Sequence, residues 1–124
     1  MSKHLIFVYG TLKRGWGNNA IIHDQTFMSE ATTLEHKFSM HSLGGFPGVV
    51  AGDKQIKGEL WEVDDTAFAR CDRLEGHPNF YKRELVDITS AVNGQQVRWS
   101  EPAWIYIYQG SVEGRNPIEE WTHG

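Results

Sequence analysis

Residues 5–15 read LIFVYGTLKRG, an apolar run that stops at a glycine and passes straight into two bases and a second glycine. Leu5 to Tyr9 predicts a buried strand that ends at Gly10. A strand halted at a glycine can expose successive backbone N–H groups, here those of Gly10, Thr11 and Leu12, and such a nest holds a carboxylate or an oxyanion. An ordinary tight turn accounts for the same residues, with Lys13 and Arg14 as solvated surface.

The stretch has the glycine spacing of a phosphate loop but not its chemistry. The G-x-x-x-x-G-K-[ST] pattern needs a Lys and a hydroxyl after its last glycine, where this chain has Trp16 and Gly17. The dinucleotide fingerprint G-x-G-x-x-G fails too, because Leu12 stands in place of its second glycine. Nucleotide binding is disfavoured.

Outward from this loop, Asn18 to Asp24 predicts a short helical turn, and Thr26 to Leu34 and Lys37 to Leu43 have strand-like composition. Gly44-Gly45-Phe46-Pro47-Gly48 breaks the chain and argues against a regular element there. Gln55 to Val63 reads as a strand with Ile56, Gly58, Leu60 and Glu62 on one face and Lys57, Glu59, Trp61 and Val63 on the other. Asp64 caps a predicted helix from about Asp65 to Leu74, ended by Gly76 and Pro78. Glu84 to Val92 and Gln95 to Trp99 are predicted strands joined by Asn93-Gly94, a hairpin signal, and Ala103 to Tyr108 is the last. Six or so strands with one substantial helix make an α+β chain, with a curved or barrel-like sheet.

The 124 residues suit a single domain over 1–124, and a 40% apolar share with five Trp argues against disorder. The net charge of −4 and the absence of a clustered basic face argue against nucleic acid. No apolar run is long enough for a membrane span, and no signal-peptide pattern appears, so a cytoplasmic protein is expected. The single cysteine, Cys71, permits no intrachain disulfide. The six histidines include no H-E-x-x-H, no metal site is expected, and no G-x-S-x-G occurs.

The second informative stretch is CDRLEGHPNFYKR, residues 71–83. On the predicted helix Ala67, Phe68, Cys71 and Leu74 form an apolar stripe, with Arg70 and Arg73 pointing elsewhere. Glu75 falls four residues after Cys71 and projects along the edge of the stripe. A carboxylate against apolar neighbours at a helix C-terminus is disfavoured by desolvation and by the helix dipole, and both raise its pKa toward the range of a general acid/base. A side chain curling into solvent is the competing reading. Asp72 reads as a solvated or cap-partner residue, Cys71 as a buried structural thiol, and His77 as a loop histidine or an assistant to a site. Tyr106 and Tyr108 share one face of the last strand.

VYGTLKRG, GGFPGVV, and GELWEVD followed by LEGHPNFYKR together resemble the gamma-glutamylcyclotransferase-like superfamily. The resemblance runs from about Phe7 to Tyr108, and its closest branch is that of gamma-glutamylamine cyclotransferase with its avirulence-induced-gene-like and bacterial relatives. It implies a small mixed β-barrel with a cavity, flanked by helices, and a cofactor-free reaction on a small gamma-glutamyl substrate. Carried over residue by residue, the cavity amides belong to the Tyr9, Gly10, Thr11 and Leu12 stretch, and Glu75 is the proton-transferring glutamate. Tyr81 and Tyr106 match cavity tyrosines, with Tyr108 an equal candidate for the second. Phe46 and Pro47 are expected to wall the pocket. Trp16-Gly17-Asn18-Asn19 departs from the relatives' pattern, and residues 110–124 show no match.

The substrate's own alpha-amine would close the ring of 5-oxoproline, so no Ser or Cys nucleophile is required. The amides of Gly10 to Leu12 would hold either the substrate carboxylate or the oxyanion. The alternative is a module that binds a small carboxylate in the same cavity without turnover.

Overall fold

The structure, a computed structural model, describes residues 2–122. In chain order its elements are β1 (Lys3–Val8), a 3₁₀ turn (Gly17–Ile21), β2 (Thr26–Thr33), β3 (Phe38–Ser42), β4 (Pro47–Ala51), β5 (Lys57–Asp64), α1 (Asp65–Glu75), β6 (Tyr81–Val86), β7 (Ile88–Val92), β8 (Gln95–Arg98), β9 (Ala103–Tyr108) and β10 (Pro117–Ile118).

The apolar run at the N-terminus becomes a central strand. β1 pairs antiparallel with β5 and parallel with β9, inside a seven-stranded sheet of order β6-β9-β1-β5-β2-β7-β8. A strand flanked on both sides and covered on both faces needs apolar residues at successive positions rather than alternate ones. Ile6 and Val8 pack with Trp61, Val63, Phe68 and Cys71 on the face that carries α1. Phe7 points the other way, with Leu60, Ile105, Met40 and Val49, toward a second sheet of order β10-β3-β4. Each fully buried Phe, Leu or Ile contributes about 1.5–3 kcal/mol, so these two layers hold the site in place.

The α+β class is as expected, and the single parallel pair makes the large sheet mixed. Its ends explain the expected curvature. β6 and β7 occupy the first and sixth places in the order yet are consecutive in sequence, with Asp87 alone between them. The sheet must therefore curl until those two places meet end to end. No ladder joins them, so among the described residues the strands form a curled sheet and a separate small one rather than a closed ring. This corner also corrects the single strand expected over Glu84 to Val92. Beside the sheets, among the described residues, lie one α-helix and one 3₁₀ turn.

A further correction concerns Gly44 to Gly48, where a break was expected and β4 begins at Pro47. β4 is an edge strand, and a proline can open an edge strand because its missing N–H removes no ladder bond. α1 starts as predicted: the Asp64 side chain accepts from the Ala67 N–H at 2.8 Å. It ends at Gly76, whose φ of 65° is the left-handed cap that glycine adopts without a Cβ penalty. In the stretch with no sequence match, β10 pairs with β3 and Trp121 is buried against Trp16.

Candidate active site

Beyond the end of β1 the chain turns, with the Lys13 N–H donating to the Gly10 carbonyl at 3.0 Å. The next two carbonyls are also taken: Thr11 O accepts from Asn18 N at 3.1 Å and Leu12 O from Asn19 Nδ2 at 2.8 Å. In a trans peptide the N–H points opposite its C=O, so anchoring these carbonyls turns the N–H groups of Thr11 and Leu12 away from the anchors. Among the described residues, the N–H groups of Gly10, Thr11 and Leu12 meet no acceptor. The Thr11 hydroxyl accepts from Asn18 Nδ2 at 2.8 Å, which leaves its own proton available to donate. A Cβ on Gly10 would stand 2.8 Å from a ring carbon of Pro47, so only glycine permits this approach.

The far end of the loop is held from inside the protein. Glu59 accepts from the Arg14 N–H at 3.0 Å, from Arg14 Nε at 3.1 Å and from Trp61 Nε1 at 3.2 Å. Lys13 is only 8% exposed and donates from Nζ to the Trp121 carbonyl at 2.7 Å. Solvated surface was the competing reading for both bases; Lys13 is buried instead, while Arg14 keeps about half of its side chain exposed and also anchors the loop, lying over the Phe27 ring at 3.6 Å.

The loop forms one wall of a cavity of about 260 Å³. Tyr9, Gly10, Thr11, Leu12, Glu75, Tyr81 and Tyr106 all line it, together with Asn18, Phe46 and Pro47. Tyr106 rather than Tyr108 takes part; Tyr108 packs against Tyr81 and Phe80, with ring centroids at 5.7 and 5.4 Å.

The three tyrosines are committed to the protein. Tyr9 donates to the Tyr106 carbonyl at 2.7 Å and accepts from the Val49 N–H at 3.3 Å. Tyr81 donates to the Pro47 carbonyl at 2.6 Å, and Tyr106 to Asp72 Oδ1 at 2.7 Å. Burial pushes all three phenols well above their ordinary range, reinforced at Tyr81 by the Glu75 carboxylate and at Tyr106 by its hydrogen bond to Asp72. They shape the cavity as neutral groups and do not serve as bases.

Glu75, the last residue of α1, has no hydrogen-bond partner among the described residues, and burial raises its pKa to about 7. Burial is the cause of the shift, as the desolvation argument from the sequence expects. Such a carboxyl can take and return a proton near neutral pH. Cys71, fully buried, is pushed up to about 12, first by burial and then by Glu75 and Asp72, and behaves as a packed thiol. His77 lies outside the cavity lining and accepts from the Arg83 N–H at 3.3 Å.

Asp72 is a correction. It is neither solvated nor a mere cap partner, for Oδ1 accepts from Arg83 Nε at 2.9 Å as well as from Tyr106. Burial works to raise its pKa, but these two hydrogen bonds outweigh it and hold the carboxyl below its usual range. Asn18 and Asn19, noted from sequence only as a departure, hold the loop carbonyls. For Asn19 the signal was available in kind, since an asparagine side chain near a glycine-bounded turn is suited to bonding a turn carbonyl; the Asn18 side chain bonds the Thr11 hydroxyl instead.

Residues 6–123 match the family described as gamma-glutamyl cyclotransferase, AIG2-like. Over 114 residues the chain is 31% identical to the gamma-glutamylcyclotransferase family protein ytfP of Citrobacter rodentium, covering 92% of this chain and 90% of that protein. It is 34% identical over 101 residues to a rat gamma-glutamylaminecyclotransferase, covering 67% of this chain and 62% of the rat protein. The crystal structure of a mouse AIG2-like protein superposes with a TM-score of 0.83 at 25% identity, over 98% of this chain and 90% of the mouse chain. With a cavity lined by an unpartnered carboxyl and open amides, and a match over almost its whole length, this chain belongs to the AIG2-like gamma-glutamyl cyclotransferase family.

Proposed function

We propose that the protein cyclises a gamma-glutamyl amine to 5-oxoproline and releases the amine, without a cofactor, using Glu75 as its one acid/base. The observation that carries this reading is an unpartnered carboxyl with a pKa near 7 in the same cavity as three N–H groups without acceptors. The rat relative's name supports the amine as the leaving group.

Ionised Glu75 takes a proton from the substrate's alpha-amine, whose nitrogen then attacks the gamma-carbonyl carbon. The new C–N bond closes the five-membered ring and places a negative charge on the carbonyl oxygen. As the tetrahedral intermediate collapses, Glu75 returns its proton to the leaving nitrogen and the old C–N bond breaks. Atoms balance without water: one amide becomes one lactam and one free amine. A pKa near ambient pH suits both transfers, since a much stronger acid would be a poor base and the reverse. Holding amine and carbonyl in near-attack geometry supplies much of the remaining acceleration.

No cationic side chain lines the cavity among the described residues. Any anionic group of the substrate therefore relies on the amides of Gly10, Thr11 and Leu12, with the Thr11 hydroxyl as a fourth donor. Neutral donors fixed in advance serve such a charge without reorganising.

The test is 5-oxoproline release, measured by mass spectrometry, from parent and Glu75→Gln proteins that circular dichroism shows to be equally folded at the assay temperature. The reading expects product from the parent and a fall of about 10²–10⁴-fold in the variant. Equal rates would sink Glu75 as the acid/base, and glutamate in place of 5-oxoproline would mean hydrolysis. Tight binding of a gamma-glutamyl amine with no product would identify a binding module.

A further inference from the structure

The proposed reaction leaves open which amine departs, and the mouth of the cavity bears on that. Of the large apolar side chains that are exposed, three line this one cavity: Phe46 at 38%, Leu74 at 40% and Phe80 at 46% exposure. They come from three separate segments: the loop before β4, the penultimate position of α1, and the approach to β6. Leu74 was expected in the buried helix stripe, and it stands at this rim instead. Apolar side chains scattered singly on a surface need no explanation, but a cluster around the opening of a cavity marks a binding surface.

The cluster is built rather than loose. The Phe80 N–H donates to the Gly76 carbonyl at 2.9 Å and its carbonyl accepts from the Gln109 N–H at 3.0 Å. Its ring packs edge-on against Tyr81 at 5.2 Å and faces Phe46 at 6.1 Å. The Phe46 carbonyl accepts from the Leu43 N–H at 2.8 Å. These anchors hold the rings in place before any ligand arrives.

We infer that this rim is the subsite for the leaving amine, and that it takes an uncharged alkyl or arylalkyl chain. The inference rests on the cyclotransferase reading, because it uses the position of the leaving nitrogen. Glu75 must reach that nitrogen to protonate it, and Phe46, Leu74 and Phe80 line the same cavity as Glu75, so the departing group leaves past these side chains. Apart from Glu75, no side chain lining the cavity carries a charge among the described residues. A leaving amine with its own ammonium and carboxylate, such as an amino acid, would enter without a partner for either.

The experiment uses one acyl half with graded leaving groups: gamma-glutamyl-ethylamide, -butylamide, -phenethylamide and gamma-glutamyl-epsilon-lysine. kcat/KM for 5-oxoproline release is measured with the parent, and Kd by calorimetry with Glu75→Gln. Both should improve about twofold to fourfold per added methylene. The phenethylamide should exceed the lysine compound by at least about tenfold. Phe80→Ala combined with Leu74→Ser should shrink that ratio to about threefold, and Phe80→Leu should keep most of it. Equal or better use of the lysine compound overturns the inference, as does a ratio unmoved by the rim variants. Product without apolar grading removes the subsite and leaves the cyclotransferase. Graded binding with no product removes the cyclotransferase and leaves the subsite. Neither binding nor product from any member removes both.

Discussion

The end of α1 places two carboxylates three residues apart in opposite surroundings. Around Asp72 the protein supplies donors, the Arg83 guanidinium and the Tyr106 hydroxyl, and the charge is held below the usual carboxylate range. Around Glu75 it supplies apolar and phenolic walls and no hydrogen bond, and the proton is retained to about 7. Residue type does not distinguish them, since an Asp and a Glu begin with similar acidity. What differs is whether burial comes with partners. The first arrangement makes a fixed charge that organises a wall; the second makes a group able to exchange a proton.

The widest separation between the two should appear in the acid limb of turnover. With Glu75 needed as a base, kcat/KM for 5-oxoproline release should fall about tenfold per pH unit below about 7, reaching about a hundredfold at pH 5. Asp72 titrates too low to contribute in that range. A profile flat from pH 5 to 8 would break the comparison.

Next in size is Asp72→Ala. It leaves the Arg83 guanidinium, stacked over Phe68 and Trp104 at 4.4 and 4.6 Å, and the Tyr106 hydroxyl without their acceptor. With both members of the ion pair about three-quarters covered, the loss should be about 3 kcal/mol in urea unfolding at pH 7. Because the folded pKa of Asp72 is lowered, its stabilisation is present above the ordinary value of 3.8 and disappears as pH falls through the depressed one.

Glu75→Gln should act in the opposite direction. The folded chain keeps a proton that the unfolded chain gives up near 4.5, so ionised Glu75 costs stability progressively between 4.5 and about 7. The variant should gain about 2 kcal/mol at pH 8, and the gain should vanish by about pH 4.5. Denaturant midpoints at the two pH values sharpen the contrast with Asp72, whose removal destabilises at pH 8. The smallest effect belongs to the loop facing Glu75. Asn19→Ala frees the Leu12 carbonyl and should cost about 1 kcal/mol with a few-fold loss of turnover.

Much of this was legible in the sequence where a local rule decides the outcome. The run from Leu5 to Tyr9, the Asp64 cap, Gly76 and the Asn93-Gly94 hairpin each follow from short-range chemistry, and each was read correctly. The strand β4 was hidden because the glycines before it break local pattern, while its stability comes from pairing with β3. The corner at Asp87 was hidden because one continuous strand-like segment serves both ends of a curled sheet. Glu75 could be flagged because desolvation at a helix end is a local argument. Asp72 could not, since its two partners, Arg83 and Tyr106, lie 11 and 34 residues away. The burial of Lys13 was hidden for the same reason: its acceptor, the Trp121 carbonyl, is distant in sequence.

The bond from Lys13 Nζ to the Trp121 carbonyl has a consequence in time. A buried ammonium whose acceptor lies in the last described turn of the chain ties that turn to the loop behind the cavity. Opening one end exposes the other, so the two share a single opening event instead of fraying separately. Amide hydrogens near residue 121 and those of residues 13–16 should exchange at matched rates. Any handle appended beyond Trp121 would therefore be felt more than a hundred residues earlier, where the chain makes its first turn.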